Sequence, residues 1–196
     1  MRARRAGLAT GLLGLALATL GLAAPPPGPG FDELLQLLAQ RQHGHASFTE
    51  VHTLAMLKEP LNSSGELFYE APDHLEKRTL TPTPESLVFD HGVLTARRGH
   101  RQRVLELSEY PQLVPFVESI RATLAGDRAA LERHFAIDFS GELEHWTLRL
   151  TPLDPAVAKS VADITLTGTR ATIASVAIRQ SDGDHSLMTI GAEISP

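Results

Sequence analysis

The chain contains no cysteine. A disulfide framework, a thiol nucleophile and lipid attachment to a cysteine are all excluded by that absence. The fold must therefore rest on apolar burial alone, and about one domain's length of chain is enough to provide it. Beyond the first two dozen residues no stretch is long and apolar enough to span a membrane. Basic residues are in the minority, with 18 Lys and Arg against 23 Asp and Glu, for a formal net charge of −5. A chain this acidic is a poor match for nucleic acid or an anionic membrane surface. Catalytic signatures are missing as well. There is no Gly-x-Ser-x-Gly elbow, no phosphate-cradling glycine loop and no His-Glu-x-x-His. A dispersed pair of acids carries no spacing signature and stays open on sequence grounds. Of the nine histidines, His43 and His45 stand closest together, but no third or fourth ligand is spaced to complete a zinc site with them. The chain is read as a non-enzyme without metal or cofactor.

What is present begins with a leader. Arg2, Arg4 and Arg5 precede Ala6 to Leu22, which is apolar or small except for Thr10 and Thr19, and Gly21-Leu22-Ala23 has the small-x-small pattern of a signal-peptidase site. Residues 1–23 are read as a secretory signal peptide rather than an uncleaved anchor, since the run is short and glycine-rich for a spanning helix. Removing its three arginines takes the formal charge from −5 to −8. Residues 24–30 (APPPGPG) form a stiff Pro/Gly linker that supports neither helix nor central strand. Residues 31–196 are read as one domain.

Within it the hydrophobic period changes several times. Phe31, Leu34, Leu35 and Leu38 share one helical face over Phe31 to Gln42, with Gly44 as the stop. From Ala46 to Leu107 the period is two, in six short runs separated by turn signals such as Asp90-His91-Gly92. After Pro111, a stripe of Leu113, Phe116, Val117, Ile120 and Leu124 at helical spacing marks a second helix, and Asp127 is placed to cap a short third. Alternation then returns from Phe135 to Ile190. About ten short strands with three helical pieces predict a mainly β, α+β fold. A sheet of that many strands curls, and the helices are its available cover.

The stretch GELFYEAP, Gly65 to Pro72, places Leu67, Tyr69 and Ala71 on one side of a strand and Glu66, Phe68 and Glu70 on the other. Leu67 and Tyr69 either pack on a helix as core or line a hollow that takes a ligand, and both need apolar side chains. The helix stripe admits the same two readings. Arg97, Arg98, His100, Arg101 and Arg103 form the dense basic cluster, which is either a solvated hairpin tip or a docking patch for an acidic partner or phosphate headgroup.

The order of elements and three local motifs resemble the periplasmic outer-membrane lipoprotein carrier LolA and its LolA-like relatives. The likeness begins at Ala46-Ser47-Phe48-Thr49-Glu50, is sharpest at Gly65 to Pro72, and continues through Leu87-Val88-Phe89-Asp90-His91-Gly92. The resemblance implies an unclosed antiparallel half-barrel whose concave face is covered by helices. It also implies a hollow for acyl chains, an inner-membrane transporter as donor and an outer-membrane acceptor. On that reading Leu67, Tyr69, Leu75, Phe116, Val117, Ile120 and Trp146 line the hollow, and Arg97, Arg98, Arg101 and Arg103 form the docking patch. Ala71 stands where the family usually has Arg, and Leu75 and Lys77 stand where it places aromatics. These departures are similar to versions that accompany aryl-polyene and other acyl products. The chain is expected to be a periplasmic monomer that carries a lipoprotein or another acyl cargo. A protein-binding assembly factor is the alternative of another class.

Overall fold

The computed structural model describes residues 29–194. The leader expected over residues 1–23, and the linker up to residue 28, lie outside the described residues. Eleven strands form one antiparallel sheet: β1 (His43–Thr53), β2 (Leu61–Glu70), β3 (His74–Thr81), β4 (Glu85–Asp90), β5 (Val93–Arg98), β6 (Arg101–Glu106), β7 (Phe135–Glu142), β8 (His145–Pro152), β9 (Val161–Thr169), β10 (Thr172–Gln180) and β11 (His185–Glu193). Their order is β6-β5-β4-β3-β2-β1-β11-β10-β9-β8-β7. Two meanders therefore run outward from the centre, joined where the first strand pairs with the last, with Thr49 opposite Thr189 and Val51 opposite Leu187. Strands β6 and β7 are the free edges, so the sheet is unclosed.

Among the described residues four helices accompany it: α1 (Pro29–Ala39), α2 (Val114–Leu124), α3 (Arg128–His134) and α4 (Pro155–Ala158), with a 3-10 turn at Leu107–Glu109. α1 begins inside the segment expected to be linker, because proline is tolerated in a first helical turn where its missing N–H has no partner to lose. It also stops at Ala39, and Gly44, expected to end it, is instead the second residue of β1. α4 was not foreseen. Four residues are too few to show a helical period, although Asp154 caps it by accepting from the Ala156 amide at 2.8 Å. Asp127 caps α3 as expected, accepting from the Ala130 amide at 2.9 Å.

Apolar burial is concentrated in two places. The larger cluster packs Phe31, Leu34 and Leu38 of α1, all fully buried, onto inward-facing residues of β7–β10, including Leu148, Leu150, Ile164 and Leu166. The smaller one joins Phe89 of β4, Leu94 of β5 and Leu107, with Leu113, Val114 and Val117 against it. α2 belongs to both, since its Ala122 is part of the larger cluster.

Trp146 sits in the larger cluster rather than in a hollow. It is 1 % exposed, lies directly across from Gly168, and donates from Nε1 to the Arg170 carbonyl at 3.0 Å. Its one polar atom is thus satisfied by backbone. The indole occupies the space a side chain at position 168 would need: a Cβ there would fall 2.2 Å from Trp146 Cζ2 and 2.3 Å from the Thr172 carbonyl oxygen. Gly168→Ala is expected to destabilise the fold by about 1–3 kcal/mol through overpacking. The check is the midpoint of urea unfolding, which should fall at an unchanged slope.

Candidate ligand-binding hollow

The alternation in GELFYEAP separates its two rows as expected. Phe68 stacks on His45 with ring centroids 4.3 Å apart, and the Arg78 guanidinium lies 4.6 Å from its ring centre. Leu67 and Tyr69 face the other way and meet a cavity of about 460 Å³, whose lining also takes in His45, Phe68 and Glu76. That volume falls within the range of small-molecule sites. Its walls come from β2–β5 (Leu67, Tyr69, Leu75, Leu87, Phe89, Leu94), from α2 (Phe116, Val117, Ile120, Leu124) and from the far half of the sheet (Ile173, Val176, Met188, Ile190). Leu94 on β5 and Ile173 on β10 are six strand positions apart in the sheet order. A flat sheet would separate those two strands by roughly 29 Å at the usual strand spacing. Their sharing one cavity shows that the sheet curls around it, with α2 as a further wall.

α2 shows why a hollow forms instead of a core. Its most buried residues are small or short: Pro115, Ser119, Ala122 and Thr123. The hydroxyls among them are satisfied within the helix, Ser119 donating to the Phe116 carbonyl at 2.8 Å and Thr123 to the Ser119 carbonyl at 2.6 Å. The large residues of the stripe, Phe116, Val117, Ile120 and Leu124, are only half-buried. Small residues let α2 settle closely, and the large ones reach over space they do not fill. Tyr69, though only 7 % exposed, belongs to neither packed cluster.

Six of the seven residues expected to line a hollow therefore lie around one cavity: Leu67, Tyr69, Leu75, Phe116, Val117 and Ile120. Trp146 is the exception, for the packing reason given above. Arg97, Arg98, Arg101 and Arg103 are exposed on the β5–β6 hairpin at one sheet edge, away from the cavity. There Arg97 donates to Gln102 at 3.1 Å and Arg98 stands 3.9 Å from Glu85. Among the described residues no group of three or more His, Asp or Glu side chains could hold a metal ion. No helix among them is long and apolar enough to cross a membrane.

Two polar arrangements were not anticipated. Within the wall, Lys77 pairs with Glu50 at 2.5 Å, and Glu50 also accepts from Ser63 at 3.3 Å. No sequence pattern links positions 50 and 77. They meet because β1, β2 and β3 are adjacent, with Glu50 opposite Ser63 and Leu67 opposite Lys77. Outside that lining, Arg121 of α2 donates to Glu118 at 2.8 Å, to Asp73 at 3.3 Å and to Asp127 at 3.2 Å. Asp73 sits in the β2–β3 turn, so this guanidinium fastens α2 to the sheet. Hydrogen bonding to Glu118 leads the effects that raise the Arg121 pKa above its ordinary value, against the opposing effect of burial. The Glu118–Arg121 spacing was visible in the sequence as an i, i+3 pair, but nothing there marked Asp73.

A model of the outer membrane lipoprotein carrier protein LolA-like family matches residues 23–193. The chain belongs to that family. Among solved structures it is similar to a LolA superfamily protein from Nitrosomonas europaea, at 8 % identity with a TM-score of 0.48, covering 86 % of this chain and 94 % of that one. It is also similar to a putative outer membrane lipoprotein-sorting protein domain from Vibrio parahaemolyticus, at 11 % identity and 0.45, covering 83 % and 91 %. A third likeness, at 15 % identity and 0.44, covers 84 % of this chain and 58 % of a chain in the MucA/MucB complex of Pseudomonas aeruginosa. No curated protein sequence matches the chain. Membership in this family gives the apolar hollow a coarse meaning, that of a site for a hydrophobic ligand in a LolA-like protein.

The Asp127 carboxyl ties the α3 cap to the α2 fastening, and its pKa lies below the ordinary carboxylate value, first because of the Ala130 amide and then because of Arg121. A carboxyl with a depressed pKa binds protons less readily in the folded state than in the unfolded one. Its contribution is therefore full above the ordinary Asp value of about 3.9 and is lost as the pH falls below it. Asp127→Asn is expected to lower the melting temperature at neutral pH, with the gap to wild type narrowing as melting is followed from pH 6 down to pH 3.

Proposed function

We propose that this protein is a periplasmic carrier that shields a hydrophobic acyl chain, from a lipoprotein or a lipid-like cargo, during its transfer from the inner to the outer membrane. One observation carries the reading: the large apolar side chains of α2 and of β2–β5 face one another across an unfilled cavity, in a chain of the LolA-like family. Packed cores leave few voids, so a cavity of this size lined by half-buried apolar groups has a use.

The mechanism is physical. An acyl chain entering the hollow removes apolar surface from water at about 25 cal/mol per Å², on its own chain and on the walls alike. A membrane offers the chain comparable burial, so release and capture lie near balance and no covalent chemistry is required. Arg121, fastened to Asp73, helps hold α2 against the sheet and sets how readily it lifts. The leader read over residues 1–23 would place the protein in the periplasm. An inner-membrane transporter and an outer-membrane acceptor would be its partners, and the basic β5–β6 hairpin would be a docking surface for an acidic one. Leu75 and Lys77, both on the hollow wall, stand where the resemblance places aromatics, which supports an acyl product such as an aryl polyene as an alternative cargo to a lipoprotein.

The test is native extraction. The protein, purified from the periplasm without detergent and extracted into organic solvent, should yield a stoichiometric acyl compound by mass spectrometry. Ile120→Glu puts a carboxylate into the hollow at a half-buried position and should abolish that yield while the fold is kept. Asp73→Ala should release bound lipid to vesicles about tenfold faster, the effect of losing one charged hydrogen bond. A folded protein that comes out empty and takes up no fluorescent fatty acid would sink the carrier reading. It would favour an assembly factor that binds proteins along the free edges β6 or β7.

A further inference from the structure

The hollow is apolar but not uniformly so, and its polar groups are of two kinds. The charged side chains in its wall are already matched: Arg41 with Glu193 at 3.1 Å, Lys77 with Glu50 at 2.5 Å, and Glu76 with Arg78 at 3.0 Å. An anionic or cationic headgroup would have to break one of these pairs to gain a partner, and at Lys77–Glu50, where Glu50 is 14 % exposed, that would strand a part-buried charge. The Tyr69 hydroxyl is the opposite case. It is buried, lines the same cavity and has no hydrogen-bond partner. The other buried polar atom without a partner, His45 Nε2, belongs to a ring stacked on Phe68 and stands 3.8 Å from Glu66. Leaving a buried hydroxyl unpaired costs free energy that phenylalanine at the same position would avoid. Tyr69 is a strand residue whose ring already fills its place, so its oxygen is the one feature that packing does not explain.

We infer that the cargo carries a neutral hydrogen-bonding oxygen attached to its apolar chain, an ester or amide carbonyl or a hydroxyl, and that this oxygen seats on the Tyr69 hydroxyl. The inference rests on the carrier reading and narrows its ligand to oxygen-bearing amphiphiles, as against bare hydrocarbons and fixed-charge surfactants. Burial pushes the Tyr69 pKa up, with Arg121 pulling it back in part and Asp73 adding to the rise. The phenol therefore stays protonated and can donate across the physiological range. The hydroxyl orients the cargo, because only one placement of the chain brings its oxygen to position 69.

The experiment compares wild type with Tyr69→Phe, both stripped of lipid, by displacement of the neutral fluorescent probe N-phenylnaphthylamine. The competitors share one chain length: monolauroylglycerol, dodecane and the laurate anion. Wild type should bind monolauroylglycerol more tightly than either of the others. Tyr69→Phe should weaken monolauroylglycerol about tenfold and leave dodecane unchanged. Thermal melting of the stripped proteins supplies the control, with Tyr69→Phe expected to melt no lower than wild type because the hydroxyl it loses has no partner to lose. A lower melting temperature would show that the hydroxyl serves the fold, and would overturn the inference. Equal weakening of all competitors, or laurate binding as tightly as the monoglyceride, would overturn it too while leaving a carrier in place. Failure of every competitor to displace the probe from wild type would overturn the carrier reading and this inference together.

Discussion

An eleven-stranded open sheet presents more inward-facing apolar surface than its helices can cover, and the rest of the molecule follows from that shortfall. α1, with Phe31, Leu34 and Leu38 fully buried, fills the inner face of β7–β10. Over β2–β5 the cover is α2 together with Leu107, and the most buried residues of α2 are Pro115, Ser119, Ala122 and Thr123 rather than leucines. The sheet is thus packed solid beneath α1, while beneath α2 a cavity runs from β2–β5 across to Ile173, Val176, Met188 and Ile190. The solid part carries the stability that a chain without cysteines must draw from burial. That leaves the space beneath α2 free to stay unfilled, a condition that would be destabilising if the whole domain shared it.

The same division explains how the polar groups are arranged. Charges near the hollow are tied into pairs, so the wall is electrically quiet although it contains lysine, arginine and glutamate. The Arg121 cluster lies where α2 meets the β2–β3 turn and joins three carboxylates from different segments. Of these bonds the one to Asp73 runs from α2 to the sheet, and it adds to the apolar packing of Val114, Val117 and Ala122 rather than replacing it. The wall of the hollow is therefore apolar with its charges paired, and Tyr69 brings to it a buried hydroxyl without a partner.

Much of this was legible in the residues. Alternation over Gly65 to Ala71 and Trp146 to Leu150 marked strands because a pleated chain exposes one face to the core, and the turn glycines marked where strands end. Alternation put Leu67 and Tyr69 on one side of β2, but it did not fix which side of each strand is concave. The stripe on α2 was legible as a stripe, but its burial was not. Periodicity reports which residues share a face, and it cannot report whether the facing wall is near enough to touch. Trp146 shows the opposite limit. A large aromatic with one polar atom suits a hollow as well as a core, and only Gly168 beneath its ring and the Arg170 carbonyl beside its Nε1 decide the matter.

What the sequence determined by itself was local. It set the strand and helix positions through their two periods, the caps through Asp127, and the reliance on burial through the lack of cysteine. The tertiary structure decided what lies far apart along the chain. The pairing of β1 with β11 joins two meanders into one curled sheet, brings Ile173 round to the same cavity as Leu94, and sets Glu50 against Lys77 and Arg121 against Asp73. Contacts of that kind leave no periodic trace, because their geometry is fixed by strand register and sheet curvature rather than by the spacing of residues within a single element.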